Sequence, residues 1–221
     1  VTGGLSVIGL VLSAAVDKAH YSVPILAIAI LAIMLEALYN YKNGQWVTSV
    51  ALTSFGVLYV GLLFSHFILL RQLPGTPVPI MSHFILDRGE ALLWVVLLGT
   101  WASDTFAYFI GVAIGSHKLI PAVSPKKSVE GAVAGFVGSI AVVMALGVKW
   151  LNYPAERMVG LALIIALFAP LGDLVESILK RNCEIKDSGN FFPGHGGVLD
   201  RCDSLLFAIP LAYYYIILVL H

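Results

Sequence analysis

The run "RMVGLALIIALFAPLGDLVESIL", residues 157–179, decides the fold. It is longer than the roughly 20 apolar residues that a helix needs to cross the hydrocarbon core of a bilayer, and two acids interrupt it only near its end. The whole chain is 59% hydrophobic and 12% charged, whereas ordinary soluble domains are roughly 45–50% apolar and about 25% charged. The sequence therefore predicts an integral membrane protein.

Other apolar runs of similar length fill most of the chain: residues 22–41, 47–70, 91–115, 131–151 and 204–220. A shorter run, residues 5–16, is interpreted as the remnant of a further span, because the chain starts at Val1 rather than Met and no basic segment precedes the run. The prediction is an all-α, polytopic transmembrane helical bundle with six clear spans and a partial N-terminal one. We expect N-terminal transmembrane helices with a truncated start in residues 1–90, and a second transmembrane domain in residues 91–221.

The net charge of the chain is zero, so no overall field attracts nucleic acid or another charged partner. The two cysteines, Cys183 and Cys202, are too few for a disulfide framework and are expected to be reduced thiols without a chemical role.

If the loops 116–130 and 180–203 share one side of the membrane with Lys42, that side holds eight basic residues against five on the other. The positive-inside rule then predicts that both loops are cytoplasmic.

The charges of the chain concentrate in "LKRNCEIKDSGNFFPGHGGVLDRCDS", residues 179–204. Glycines around His195 favour a close approach of the backbone to a ligand. Asp200 and Asp203 follow at the start of the last span, where acids are also common for helix capping alone. Acids and bases on either side of a glycine-rich turn are more typical of a site for phosphate and a metal. A transporter would place its polar groups near the membrane midplane, which disfavours that class.

Two further polar features lie upstream. Asp173, Glu176 and Lys180 share one helix face, where the two acids could bind a divalent cation or where Glu176 could simply pair with Lys180. Asp104 shares a face with Tyr108, and this face is expected to look into the bundle, for either a buried hydrogen bond or a functional role.

The segment "SPKKSVEG", residues 124–131, places Ser124, Lys126 and Lys127 just before a helix that is predicted to begin near Ser128. Lysines next to a helix N-terminus form an anion site. The alternative is that the two lysines only set the membrane topology.

The pattern S-I-L-K-R-x4-K-D-S-G-x4-P-G-H-G-G-x-L-D-R-x-D, from Ser177 to Asp203, closely resembles the signature of CDP-diacylglycerol synthases, the phosphatidate cytidylyltransferases. The upstream segments "DTFAYFIG", "SPKKSVEG" and "GDLVES" resemble other recurring segments of that family, in the same order. The resemblance covers about residues 100–210, whereas residues 1–90 match only as apolar spans. Ser116 and His117 depart from the pattern, because the family more often has a basic residue there.

The resemblance implies that CTP and phosphatidate react to give CDP-diacylglycerol and pyrophosphate with Mg²⁺ as cofactor, in the inner membrane of a bacterium. Glycine faces such as that of Gly131, Gly135 and Gly138 are compatible with a homodimer. The implied catalytic residues are Asp173, Lys186, Asp187, His195, Asp200 and Asp203, of which Asp173, Asp200 and Asp203 would bind the metal. The implied substrate-binding residues are Ser124, Lys126, Lys127, Lys180, Arg181, Gly194, Gly196, Gly197 and Arg201.

Two other functions remain as alternatives. A CTP-dependent polyprenol or lipid kinase of the dolichol-kinase type would transfer the terminal phosphate to an alcohol and would release CDP. An anion transporter would move phosphate or another ion without turning over CTP. The signature from Ser177 to Asp203 favours the cytidylyltransferase over both.

Overall fold

A computed structural model describes residues 1–16, 19–41, 44–81, 84–191 and 196–220. The chain forms two compact units, Val1–Leu73 and Pro74–His221. The predicted division of the chain at residue 90 stays a prediction. Within the second unit, Arg88 Nη1 donates to the carbonyl of Pro74 at 3.5 Å.

The first unit consists of helices. They are α1 (Thr2–Ala15), α2 (Ser22–Tyr39), α3 (Trp46–Gly56) and α4 (Leu63–Arg71). A π-helical segment, Val57–Leu62, joins α3 to α4, so that Trp46–Arg71 is one continuous span. The hydrophobic core of the first unit is built around Leu10, Ile33 and Val57.

The second unit contains the long helices α5 (Arg88–Ile114), α6 (Val129–Lys149), α7 (Ala155–Asn182) and α8 (Leu199–Tyr215). A π-helical segment, Ile216–Leu220, extends α8. Two short antiparallel hairpins complete the unit: β1 (Val78–Met81) with β2 (Phe84–Leu86), and β3 (Lys118–Ile120) with β4 (Ser124–Ser128). The second hairpin occupies most of the predicted loop 116–130.

Six helices of the described chain are long and apolar enough to cross a membrane, with a mean hydropathy of 1.4 to 2.3 over their most apolar windows. Together with the shorter α1, they confirm the prediction of a polytopic helical bundle with six spans and a partial one. The protein is an integral membrane protein.

Helices α5 and α6 pack closely because glycines of α6 lie against backbone of α5. A Cβ on Gly135 would lie 2.6 Å from the carbonyl oxygen of Ser103, and one on Gly131 would lie 3.1 Å from the Cα of Gly111. Such small residues let membrane helices approach each other. The glycine face is therefore used inside the chain, so the predicted homodimer stays a prediction without this support.

The contact face of α5 differs from the expected one. Ser103 is buried and packs on α6 together with Ala107. Tyr108, which is expected to look into the bundle, is exposed in the structure, whereas Asp104 is exposed to solvent but lies near Asp173 of α7 and Asp203 of α8. The residues of α5 that pack on α6 are thus displaced by one position from the expected face. The glycines of α6, rather than the polar residues of α5, determine where the two helices meet.

Arg88 joins the helix ends on the side away from the second hairpin. Its Nε donates to Tyr153 Oη at 2.7 Å, and its Nη2 donates to the carbonyl of Leu220 at 2.8 Å. Arg88 thus links the start of α5 to the α6–α7 connection and to the end of α8.

We predict that Gly135→Ala destabilises the protein by about 1–3 kcal/mol, because the added methyl group overpacks the α5–α6 contact. Gly4→Ala is the matched control: a Cβ there has nothing within 4 Å, so the helix propensity of alanine leaves stability unchanged or raised. Thermal unfolding of both variants in detergent measures the difference. Equal midpoints would contradict the close contact at Gly135.

Candidate active site

Two polar connections lie at the same end of the helices of the second unit. The β3–β4 hairpin connects α5 to α6, and the segment after Asn182 connects α7 to α8. Consecutive long helices joined by short connections run antiparallel, so both connections lie at the same end. The side chains that join them belong to the predicted site.

The first link is an ion pair between the hairpin and α7. Lys127 Nζ lies 2.5 Å from Asp173 Oδ2, and both side chains are about 30% exposed. Ser177 Oγ, one turn later on α7, donates to Asp173 Oδ1 at 3.4 Å. Asp104 of α5 lies close enough to interact electrostatically with Asp173 and Lys127. Three elements thus bring one lysine and two carboxylates together.

The second link is a lysine between two carboxylates. Lys180 Nζ lies 2.8 Å from Glu176 Oε2 and 2.7 Å from Asp200 Oδ1, so it joins α7 to α8. The Glu176 side chain is only 1% exposed, and within the described part of the chain its Oε1 has no hydrogen-bond partner. The expected Glu176–Lys180 pair therefore forms. Since Lys180 also binds Asp200, a phosphate would have to compete with two acids for this lysine.

Asp200 organises the connection between α7 and α8. Its Oδ2 accepts hydrogen bonds from the backbone N–H of Ser188 at 2.8 Å, from Ser188 Oγ at 2.8 Å and from the backbone N–H of Gly197 at 2.7 Å. The neighbouring Gly196 has a φ of +81°, which a glycine adopts without strain. Both oxygens of Asp200 are thus bound by groups of the protein.

Asp203, one turn further along α8, lies among the other acids. It interacts electrostatically with Asp104, Asp173 and Glu176, and its Oδ1 accepts a hydrogen bond from the backbone N–H of Ser204 at 2.6 Å. Helices α7 and α8 nearly touch here, because a Cβ on Gly172 would lie 2.5 Å from the carbonyl oxygen of Asp203. The glycine allows the two acid-bearing helices to approach.

Carboxylates of this kind are the oxygen ligands that Mg²⁺ prefers, and the buried carboxyl of Glu176 lies beside that of Asp203. The donor chemistry therefore fits a hard divalent cation. Among the residues that the structure describes, however, no three His, Cys, Asp or Glu side chains converge into a metal-binding group. The assignment of a metal to Asp173, Asp200 and Asp203 stays a prediction.

The start of α6 holds a feature that sequence reasoning missed. The backbone N–H and Nδ1 of His117 both contact Glu130 Oε1, at 3.2 and 2.6 Å, and Ser128 Oγ caps α6 by accepting from the N–H of Gly131 at 3.2 Å. Glu130 therefore closes the base of the hairpin that carries Lys127. At the predicted anion site, Ser128 already accepts a hydrogen bond from one of the N–H groups at the start of the helix. Glu130 also places a carboxylate in the first turn.

The remaining predicted residues are placed as follows. Ser124 begins β4 opposite Ile120 and is half-buried. Exposed side chains around the two links are those of Lys126, Arg181, Lys186, Asp187 and Arg201. Gly196 and Gly197 belong to the Asp200 network, whereas Gly194 and His195 lie outside the described residues.

The fold and the site together define a membrane-embedded protein with an acidic and basic cluster at one end of its helices. The profile of the Cytidylyltransferase family matches residues 4–219. The chain belongs to this family, which confirms the resemblance seen in the sequence.

Curated relatives carry a more specific name. The phosphatidate cytidylyltransferase of Bacillus subtilis (strain 168) is 38% identical over 192 residues, 85% of this chain and 66% of the relative. That of Synechocystis sp. is 37% identical over 190 residues, 79% of this chain and 64% of the relative. That of Staphylococcus aureus (strain COL) is 44% identical over 131 residues, 58% of this chain and 50% of the relative. The chain thus spans between half and two thirds of the length of these relatives.

We predict that Lys180→Met destabilises the protein by about 3–5 kcal/mol, because it leaves buried Glu176 without its counter-charge. Lys149→Met, at the exposed end of α6, is the matched control and is expected to change stability by less than about 0.5 kcal/mol. The measurement is chemical or thermal unfolding in detergent. Glu176→Gln combined with Lys180→Met should recover part of the loss, and a Lys180→Met variant as stable as the control would rule out the buried bridge.

Proposed function

We propose that the protein is a phosphatidate cytidylyltransferase, which transfers the cytidylyl group of CTP to phosphatidate and releases CDP-diacylglycerol and pyrophosphate. The observation that carries the proposal is the pair of lysine–carboxylate links, Lys127–Asp173 and Lys180–Asp200. They join the hairpin, α7 and α8 within the segments that resemble the synthase signature. The family membership and the names of the curated relatives support the same activity.

The chemistry is a phosphoryl transfer at the α-phosphorus of CTP. An oxygen of the lipid phosphate forms a new bond to that phosphorus, while the bond to the bridging oxygen of the leaving pyrophosphate breaks. Such reactions are catalysed mainly by positioning and by neutralising charge on phosphoryl oxygens. A site rich in lysines and arginines suits this reaction, which needs no covalent nucleophile.

The basic residues divide by location. Lys127 and its exposed neighbour Lys126 are carried by the hairpin, whereas Arg181, Lys186 and Arg201 surround the α7–α8 connection. We assign both groups to the phosphates of CTP and phosphatidate. As these phosphates approach, their oxygens compete with Asp173 for Lys127.

Mg²⁺, when bound, would neutralise part of the triphosphate charge, and Asp173, Asp200 and Asp203 are the carboxylates proposed to hold it. The Asp173 side chain is 29% exposed and the Asp200 side chain 9%, and four hydrogen bonds from Lys180, Ser188 and Gly197 already bind Asp200. This difference supports Asp173 as the more accessible of these two candidates.

The proposed location is the inner membrane of a bacterium, in keeping with the bacterial relatives. The β3–β4 hairpin and the α7–α8 connection would face the cytoplasm, where CTP is found. The lipid substrate would enter from the surrounding bilayer.

The proposal is tested by incubating detergent-purified protein with cytidine-labelled CTP, phosphatidate and Mg²⁺, with EDTA as the control. We expect a labelled liponucleotide and an equal amount of pyrophosphate, both of which EDTA abolishes. Labelled CDP without a liponucleotide would indicate a kinase instead. The absence of any CTP turnover by protein that remains folded would contradict both enzymes.

We predict that Asp173→Asn and Asp200→Asn each lower turnover by at least about a hundredfold, the loss typical when a group that organises charge in the transition state is removed. Asp87→Asn is the matched control, since Asp87 is exposed at the start of α5, away from the two links. Thermal unfolding and size-exclusion chromatography establish that each variant is folded. Normal turnover by both site variants would exclude these aspartates from the reaction.

A further inference from the structure

The α7–α8 connection is closed on itself by one hydroxyl group. Ser188 lies on its first arm, directly after Lys186 and Asp187, and Asp200 lies on its second arm, at the start of α8. Ser188 Oγ donates to Asp200 Oδ2 at 2.8 Å and accepts from the backbone N–H of Asp200 at 3.3 Å. One side chain thus makes two hydrogen bonds to a residue twelve positions away.

The backbone of the second arm is shaped to receive this hydroxyl. A Cβ on Gly197 would collide with Ser188 Oγ and would lie 2.8 Å from the backbone nitrogen of Gly189. Gly197 is buried, and its own N–H joins the same network through Asp200 Oδ2 at 2.7 Å. The close approach of the two arms requires a glycine at position 197, and the Ser188 hydroxyl lies directly against it.

We propose that Ser188 is a positioning residue, which fixes the Asp200 carboxylate and the Gly196–Gly197 turn against the arm that carries Lys186 and Asp187. This inference rests on the proposed function, in which these arms bind the phosphates of CTP. Ser188 acts through Asp200 and the turn rather than on the phosphates themselves. Its hydroxyl pre-orders the connection before the nucleotide arrives.

The expected kinetic effect follows from this pre-ordering. Without the hydroxyl, Asp200 keeps its contacts to Lys180 and to the N–H groups of Ser188 and Gly197 but loses two hydrogen bonds between the arms. More of the ordering must then accompany nucleotide binding, and its cost weakens that binding. Binding that is lost equally in the ground and transition states raises KM and leaves kcat unchanged. Because the lost hydrogen bonds include one to a charged group, we expect a rise of about tenfold.

The first experiment compares Ser188→Ala with Ser188→Thr, which restores the hydroxyl. Ser188→Ala should raise the KM for CTP about tenfold with kcat within about twofold of the original, and Ser188→Thr should restore most of the affinity. Ser116→Ala is the matched control, a serine of the other polar connection whose hydroxyl donates to the carbonyl of Ile114 two residues away. It should leave both constants unchanged.

The second experiment does not depend on catalysis. Hydrogen exchange measured by mass spectrometry on the same detergent-purified proteins should show faster exchange for the peptides spanning 186–200 in Ser188→Ala. Exchange in α6 should stay unchanged, and Ser188→Thr should resemble the original chain.

The outcomes separate the two proposals. If the original protein makes no liponucleotide, the proposed function fails, while the exchange data still decide whether Ser188 holds the connection together. An unchanged KM and unchanged exchange in Ser188→Ala would overturn the positioning role. So would a loss of kcat that Ser188→Thr does not restore, because this pattern would indicate disruption of packing by any substitution.

Discussion

The structure depends on the placement of carboxylates near the ends of apolar helices. A charged side chain within a membrane-spanning helix is unfavourable by at least about 2.5–3.5 kcal/mol near its centre, and α7 and α8 together carry several such groups. Lys180 compensates two of them at once, since it lies within 3 Å of both Glu176 and Asp200. A buried ion pair contributes little net stability, but the loss of one partner is strongly destabilising. The lysine therefore fixes how the two helices meet.

The close packing of helices positions the rest of the cluster. Gly172 brings α7 against the backbone of α8 at Asp203, and Gly131 brings α6 against α5 below the hairpin. The hairpin then starts from a fixed point, and its Lys127 reaches Asp173 on α7. Small residues beside the charged groups thus determine how closely the helices that carry them approach.

The two lysine links also suggest how the site accommodates an anionic substrate. In the absence of a ligand, each lysine is neutralised by an acid of the protein. In the proposed function, phosphate oxygens would displace Asp173 from Lys127, which adds negative charge to the site and leaves that carboxylate without its counter-charge. The released carboxylate is of the type that binds a divalent cation. Substrate and metal would then be bound as complementary charges within one preformed network.

Part of this site follows from local sequence. Glu176 and Lys180 are four residues apart on one helix, so their pairing is predictable from helical periodicity. The signature residues around Asp200 were also identifiable, although their partners were not. The resemblance implies that Asp200 binds a metal, which stays a prediction, and the structure adds its hydrogen bonds from Ser188 and Gly197. The sequence does not predict the contact between His117 and Glu130, apart from the departure of His117 from the family pattern.

The sequence by itself determined that this is an integral membrane protein and how many spans it has, because both depend on composition and length over a continuous stretch. Only the tertiary structure decided that Lys127 meets Asp173, that Lys180 has a second partner in Asp200, and that Ser188 closes the connection. These contacts join residues far apart in the chain. They depend on how closely glycine-bearing helices pack and on the backbone path of a glycine-rich connection, and no local periodicity encodes either.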